Sequence, residues 1–126
     1  MAAVLDASAV LAVAFCEPGA DVVQEHMAEA RLTVVNWCEA LGRWRQRGRA
    51  AVDLGLMLAE AGVRLEPVTP GDAGAAAELL AAHPSAGLSL GDRLCLATAR
   101  RLQRPVLTAD RRWAEVEHGV EVLVIR

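Results

Sequence analysis

The stretch AAVLDASAVLAVA, residues 2–14, joins a short apolar run to a longer one, with Asp6 between them. This pattern predicts a buried strand, Ala2 to Leu5, followed directly by a helix, Ala7 to Ala14. An acid at such a junction either caps the helix or lies at the carboxyl end of the strand, where α/β proteins bind ligands. The junction therefore predicts an α/β fold and marks one place to look for a functional group.

The rest of the chain repeats this alternation of strand and helix. Short connections between alternating elements favour a parallel sheet with helices on both faces, so we predict a three-layer α/β/α fold with four to five strands. A length of 126 residues suits a single domain spanning residues 1–126. Further strands are predicted at 32–35, 63–68, 106–108 and 120–125, and further helices at 19–30, 36–48, 50–61, 72–82, 89–102 and 111–117.

Several classes of protein are excluded by composition. No apolar run is long enough to cross a bilayer. The segment ASAVLAVAF, residues 7–15, resembles the core of a secretion signal, but Asp6 precedes it and no basic residue comes before Arg31. We therefore expect a cytoplasmic protein without membrane contact. The three cysteines are too scattered for a disulfide framework and are predicted to be buried thiols, and the scattered histidines argue against zinc.

Four acidic residues lie where a strand is expected to give way to a helix. Each has a purely structural explanation, because Asp6 and Asp110 could be N-caps. Asn36 with Glu39 and Ser89 with Asp92 match the spacing of a capping box. The four sequences are VLDAS around Asp6, VVNWCEAL around Glu39, LSLGDRLCLA around Asp92 and RPVLTADRRW around Asp110.

Capping does not explain why all four acids stand in such apolar surroundings. The helix after Ser89 is almost wholly apolar from Leu94 to Ala99, so it is expected to be buried, and an acid at its start would be deep. Clustered carboxylates raise each other's pKa unless a cation is present. Oxygen-rich ligand sets suit Mg²⁺ or Mn²⁺, and such ions assist phosphodiester hydrolysis. The pattern thus indicates a hydrolase dependent on a divalent metal.

The segments VLDASAVLA, VVNWCEAL, LSLGDRLCLATAR and PVLTADRRW together resemble the PIN-domain ribonucleases, especially the VapC-type toxins of bacterial toxin–antitoxin pairs. The resemblance runs from Val4 to the last strand. It implies a PIN-like domain that cleaves RNA as an endonuclease with Mg²⁺ or Mn²⁺, a cognate antitoxin that enters the active-site groove, and a homodimer. It implies catalytic, metal-binding roles for Asp6, Glu39, Asp92 and Asp110, and supporting roles for Ser8, Asn36 and Thr108.

The chain departs from the family pattern at two points. Trp37-Cys38 stands before Glu39, where smaller or aliphatic residues are more usual, and the isoelectric point is acidic, near 5.6. The net charge of −3 argues against a nucleic-acid partner, although it becomes +1 once the four acids are set aside. The RNA target cannot be read from the sequence, and tRNA is a candidate by family analogy only.

All thirteen basic residues are arginines, which bind phosphate well through their planar forks. Arg93, Arg111 and Arg112 stand next to predicted metal ligands and are candidate RNA contacts, with salt bridges as the alternative. The alternating arginines from Arg43 to Arg49 would spread over more than one helical face. They could meet solvent, RNA or an antitoxin, and the sequence does not separate these.

Other functions are alternatives to the nuclease. A PIN-like binding module without activity would keep the fold and partners, and a housekeeping PIN nuclease would lack an antitoxin. A phospho-aspartate enzyme built on Asp6 would want a second acid at residue 8, where the chain has Ser, and a lysine, which is absent. A dinucleotide-binding domain would need a GxGxxG motif after the first strand, and none is present.

Overall fold

A computed structural model of the chain describes residues 2–126 and contains one five-stranded, all-parallel sheet in the order β3-β2-β1-β4-β5. The predicted α/β fold with a central parallel sheet is therefore confirmed. The strands are β1 (Val4–Leu5), β2 (Arg31–Thr33), β3 (Arg64–Glu66), β4 (Val106–Thr108) and β5 (Val122–Val124). The helices are α1 (Ala7–Ala14), α2 (Ala20–Gln24), α3 (Val34–Gln46), α4 (Ala51–Glu60), α5 (Pro70–Ala82) and α6 (Leu90–Leu102), with a 3₁₀ helix at Arg111–Glu115.

The side chains of the central strands point alternately to two helical layers. Leu5 of β1 and Leu107 of β4 are fully buried in a core shared with α1, α3 and α4. Val4 and Val106 are equally buried on the opposite face, where they pack against α6. The two central strands β1 and β4 bury every residue because helices cover both faces, which accounts for their continuous apolar runs.

The strand order places a topological switch point between β1 and β4. The chain winds outward from β1 through β2 to β3, then returns through α5 and α6 to form β4 on the other side of β1. Connections at a switch point diverge, and they leave a crevice at the carboxyl ends of the two strands. Asp6 follows β1 and Asp110 follows β4, so both lie at this crevice.

Several predicted details are wrong. The second helix ends at Gln24 and does not reach residue 30, because Glu29 adopts a left-handed φ of 62° that a helix cannot contain. Helix α3 begins at Val34 because the hydroxyl of Thr33 caps the backbone N–H of Asn36. Asn36 with Glu39 is therefore no capping box, and Glu39 lies in the second turn.

The expected burial of the cysteines holds for only one of the three. Cys95 is buried beneath β1, but Cys16 and Cys38 are exposed. Cys16 follows the end of α1 in a left-handed conformation with φ of 54°, and Cys38 lies on the outer face of α3. The prediction that all three cysteines are buried rests on their apolar neighbours in sequence, but a helix turns successive residues to different faces. No helix within residues 2–126 has the length and apolar character to cross a bilayer.

Candidate active site

Asp6 is the deepest carboxylate of the site, and three donors hold it. Its side chain is only 5% exposed. One oxygen accepts hydrogen bonds from the Ser8 hydroxyl at 2.7 Å and from the Ala9 backbone N–H at 2.8 Å, and the other accepts from the Thr108 hydroxyl at 2.6 Å. Asp6 is thus both the N-cap of α1 and a fixed acid at the crevice, as the sequence predicted for the cap.

Ser8 and Thr108 also connect Asp6 to the backbone after β4. The Ser8 hydroxyl accepts from the Ala109 N–H at 2.9 Å, and the Thr108 hydroxyl accepts from the Asp110 N–H at 3.0 Å. Each hydroxyl therefore donates to the Asp6 carboxylate and accepts from a backbone N–H just after β4. Asp6 and Asp110 are coupled in position through these two side chains.

Glu39 is oriented by Asn36, which is almost fully buried. The Asn36 amide donates to the Glu39 carboxylate at 2.8 Å and to the Gly91 carbonyl at 3.4 Å, while its own oxygen accepts from the Thr33 hydroxyl at 2.7 Å. The Glu39 carboxylate lies directly over Gly91, where an added Cβ would stand 2.6 Å from one carboxylate oxygen. The absence of a side chain at Gly91 therefore gives Glu39 its place beside the first turn of α6.

Asp92 and Asp110 are both bonded to their own helix ends. Asp92 accepts from the Ser89 N–H at 2.9 Å, and the Ser89 hydroxyl accepts in return, so the predicted capping box of α6 is confirmed. Asp110 accepts from the backbone N–H of Arg112 and pairs with the Arg112 guanidinium at 2.7 Å. This guanidinium holds the pKa of Asp110 below its ordinary value of 3.8.

The four acids line one cleft of about 380 Å³, together with Ser8 and Asn36. Burial raises the pKa of Asp6 from 3.8 to about 6, against the lowering effect of its hydrogen bonds, and the charge of Asp92 adds to the rise. The pKa of the Cys95 thiol is raised by its complete burial and by the charges of Asp6, Asp92 and Glu39. The carboxylates of three separate chain segments therefore share one electrostatic environment.

A preformed metal cluster is nevertheless absent from the described part of the chain. Within residues 2–126, no three His, Cys, Asp or Glu side chains stand close enough to hold an ion together. Each of the four acids is instead held by hydrogen bonds of its own. Mg²⁺ retains several waters and is usually bound directly by only one or two carboxylates. An all-oxygen set around a carboxylate with a raised pKa, such as Asp6, therefore fits this class of cation in its donor chemistry.

The three arginines predicted as RNA contacts lie in different surroundings. The Arg93 guanidinium donates to the Ala76 carbonyl of α5 at 3.0 Å, which directs it away from the cleft. Arg111 donates to the backbone carbonyl of Arg126 at 3.0 Å, and Arg112 is paired with Asp110. The structure therefore brings Arg112 beside the acids and turns Arg93 toward α5.

Several residues complete the cleft that the sequence did not place there, although Arg43 and Arg47 were among the arginines left between solvent, RNA and antitoxin. Phe15, Glu17, Arg43, Gln46, Arg47 and Arg126 also line it. The helical spacing of Asn36, Glu39, Arg43 and Arg47 was the signal that could have identified two of them, because residues three and four apart share a helical face. Gly91 was missed as well, since nothing in the sequence shows that a side chain from α3 lies over α6.

The fold and the cleft define an α/β protein with an acidic site at the carboxyl edge of a parallel sheet. Residues 3–119 match the PIN domain, and the chain belongs to this family. PIN domains are generally nucleases, so the activity class is hydrolysis of nucleic acid. The resemblance inferred from the sequence is confirmed at this level.

Two solved structures show the same fold at low sequence identity. One is a toxin–antitoxin complex from Klebsiella pneumoniae, with a TM-score of 0.77, 15% identity and coverage of 97% of this chain and 96% of that chain. The other is PAE2754 from Pyrobaculum aerophilum, with a TM-score of 0.58, 20% identity and coverage of 97% and 83%. A search of curated protein sequences finds no significant match.

Proposed function

We propose that the chain is an endoribonuclease that depends on Mg²⁺ or Mn²⁺ and acts as the toxin of a toxin–antitoxin pair. The observation that carries this proposal is the convergence of Asp6, Glu39, Asp92 and Asp110 on one cleft at the switch point. Membership of the PIN family supports the nuclease class. The toxin role is supported by likeness to a chain from a toxin–antitoxin complex.

The four acids would provide the carboxylates for the cation, which needs only one or two of them as direct ligands because Mg²⁺ keeps several waters, and Asp6 would be the most rigid ligand. When bound, a divalent cation lowers the pKa of its water and neutralises charge on the phosphodiester. Ser8 and Thr108 restrict Asp6 to one position, and Asn36 does the same for Glu39. Such restriction keeps the ligands in place before substrate arrives, so little reorganisation is needed during the reaction.

Among the described residues that line the cleft, only carboxylates could accept the proton of the attacking water. No histidine lines the cleft, and the chain contains no lysine. Glu39 is exposed at the cleft, whereas Asp6 is enclosed by three donors, so Glu39 is the better placed of the two to accept a proton. Attack of the water oxygen on phosphorus would break the P–O3′ bond, and the departing 3′ oxygen would take up a proton, which leaves a 5′-phosphate and a 3′-hydroxyl.

The first test is cleavage of RNA by purified protein freed of any antitoxin. We expect cleavage with Mg²⁺ or Mn²⁺, none in EDTA, and a loss of about 100-fold or more in Asp6→Asn. Asp53→Asn, which removes an exposed acid from the first turn of α4, is the matched control and should keep full activity. Equal cleavage in EDTA would rule out the metal dependence, and an inert wild type would favour a binding module.

The partner and the assembly are tested separately. A short reading frame upstream, encoding a DNA-binding protein that copurifies with this chain and inhibits it, is the expected antitoxin. If an active nuclease has no such partner, a housekeeping PIN nuclease would be favoured.

The proposed homodimer predicts twice the chain mass by light scattering, and the proposed cytoplasmic location predicts recovery in the cytoplasmic fraction. The single-domain organisation likewise stays a prediction.

A further inference from the structure

One side of the cleft is basic, and this side lies along α3. The polar residues of the helix that line the cleft follow a spacing of three and four, which places them on one face. Arg45 lies on another face of α3 and does not line the cleft, and it instead donates to the Arg49 carbonyl at 3.0 Å. Arg49 lies beyond the end of the helix and does not line the cleft either. The lining residues here are Asn36, Glu39, Arg43 and Gln46 of α3 and Arg47, the C-cap that directly follows the helix.

Arg43 and Arg47 carry charges that the protein itself does not neutralise. None of the ion pairs formed within residues 2–126 includes either residue, and both are exposed. Arg126, which also lines the cleft, differs because it faces Glu17 at 3.6 Å and donates to the Pro18 carbonyl. The cleft therefore has two uncompensated guanidinium groups next to its acids.

An aromatic pair beneath Arg47 restricts its conformation. Phe15 and Trp44 stack with ring centroids 5.6 Å apart, and the guanidinium carbon of Arg47 lies 4.2 Å above the Phe15 centroid. Arg49 covers the Trp44 ring from 4.8 Å. A stacked guanidinium loses less conformational entropy when it binds a ligand, and its donors remain free around the edge of the plane.

The positions along α3 match a charged strand that runs away from the acids. Glu39, Arg43 and Arg47 follow one another at intervals of four residues, about 6 Å along the helix axis. This step is comparable with the separation of successive phosphates in an extended nucleic-acid strand. Arginine forks bind phosphate oxygens in pairs.

We infer that Arg43 and Arg47 bind successive backbone phosphates of the RNA strand beside the one that is cut. This inference rests on the proposed ribonuclease function, because it takes the acids as the place of cleavage. The contacts lie on the backbone, so they position the strand without reading its sequence. Of the four arginines from Arg43 to Arg49, Arg43 and Arg47 thus bind substrate, whereas Arg45 and Arg49 do not line the cleft.

Binding of a short, fluorescently labelled single-stranded RNA in EDTA tests the inference without cleavage. We expect Arg43→Ala and Arg47→Ala each to weaken binding about fivefold to tenfold. Each should also reduce the slope of log affinity against log salt by about 0.7. The matched control Arg45→Ala, on the same helix but outside the cleft, should change affinity less than about twofold. Circular dichroism verifies that every variant is folded.

Two further readouts separate substrate binding from a structural role. In cleavage assays with Mg²⁺, Arg43→Ala should raise KM while kcat stays within about twofold, as expected for lost uniform binding. Arg43→Lys should restore the salt slope, because the charge is retained.

Unchanged RNA affinity in both alanine variants would overturn the inference. If the same variants lost affinity for the antitoxin but not for RNA, the inference would be overturned as well. An equal loss in Arg45→Ala would overturn it too, because the effect would then be general electrostatics. Absence of cleavage by the wild type tests the proposed function alone, since the binding measurement does not need it.

Discussion

At the scale of single residues, Asp6 is both a helix cap and a proposed metal ligand, and its burial lowers the stability of the folded protein when it is charged. Its carboxylate caps α1 and accepts three hydrogen bonds, yet burial still raises its pKa to about 6. The folded protein therefore binds the Asp6 proton more tightly than the unfolded chain does. The contribution of Asp6 to stability without metal is therefore greatest below the unfolded pKa of 3.8 and is lost as the pH rises through the folded pKa of about 6.

Asp6→Asn should remove this pH dependence. The difference between 3.8 and about 6 corresponds to roughly 3 kcal/mol, so in EDTA near neutral pH the variant should be more stable than the wild type by up to that amount. Its amide can donate to the Thr108 hydroxyl, which preserves the packing. Urea denaturation between about pH 4 and pH 8 measures the effect.

The matched control Asp53→Asn should leave the wild-type pH profile unchanged. Mg²⁺ should stabilise the wild type and have little effect on Asp6→Asn, because the ion binds only the folded site. A parallel pH dependence in wild type and Asp6→Asn would contradict the assignment of this titration to Asp6.

At the scale of elements, the approach of α3 to α6 depends on a missing side chain. Glu39 reaches the first turn of α6 because position 91 is glycine, and the buried Asn36 amide connects the two helices there. Glycine is otherwise unfavourable within a helix, by roughly 0.5–1 kcal/mol relative to alanine. Glycine at position 91 therefore makes room for the Glu39 carboxylate but lowers the intrinsic stability of the helix.

Gly91→Ala should separate activity from stability. The added Cβ would displace the flexible Glu39 carboxylate, so activity should fall about 100-fold, as expected for a small misplacement of a reacting group. The unfolding free energy should change by less than about 1 kcal/mol, because helix propensity improves. Cleavage rates and urea denaturation are the two measurements.

Gly74→Ala supplies the control for this prediction. Gly74 lies in α5 with no atom within 4 Å of its built Cβ, so alanine there should stabilise the protein by roughly 0.5–1 kcal/mol and leave activity intact. Full activity in Gly91→Ala would show that Glu39 does not need its present position.

At the scale of the whole molecule, a buried carboxylate far from the cleft connects both ends of the β3–α5–α6 segment. Asp72 is 2% exposed, caps α5 together with Thr69, and accepts two hydrogen bonds from Arg101 of α6. Arg101 also pairs with Glu66, which pairs with Arg31 of β2. Burial alone would raise the pKa of Asp72, but the bonds from Arg101 and Thr69 lower it below 3.8.

Asp72→Asn should destabilise the protein by about 2–3 kcal/mol at neutral pH, since it breaks a buried ion pair whose partner stays partly solvated. Because the folded pKa is lowered, the stabilising effect of Asp72 is present above 3.8 and disappears as the pH falls through the folded value. Urea denaturation should therefore show a smaller difference from the wild type in acid than at neutral pH. The control Glu78→Gln replaces an exposed side chain of α5 and should leave the free energy of unfolding unchanged at both pH values.

Much of the fold was predictable because its information is local. Apolar runs gave the strands, and the capping acids Asp6 and Asp92 marked the starts of helices α1 and α6. The errors also have local causes. The spacing predicts a cap at Asn36 because the competing cap, Thr33, falls within a predicted strand. The pattern also predicts a second helix that runs through Glu29, because the left-handed conformation of this residue has no sequence signature.

The sequence by itself determined the order of the elements and the identity of the acids at their junctions, because burial and capping act on neighbouring residues. Only the tertiary structure decided which side chains meet. The strand order brings Asp6 and Asp110 to one crevice, Gly91 admits Glu39, and the turn of α3 sends Arg43 and Arg47 into the cleft and Arg45 away from it. These outcomes depend on the packing of segments distant in sequence, and no local pattern encodes that packing.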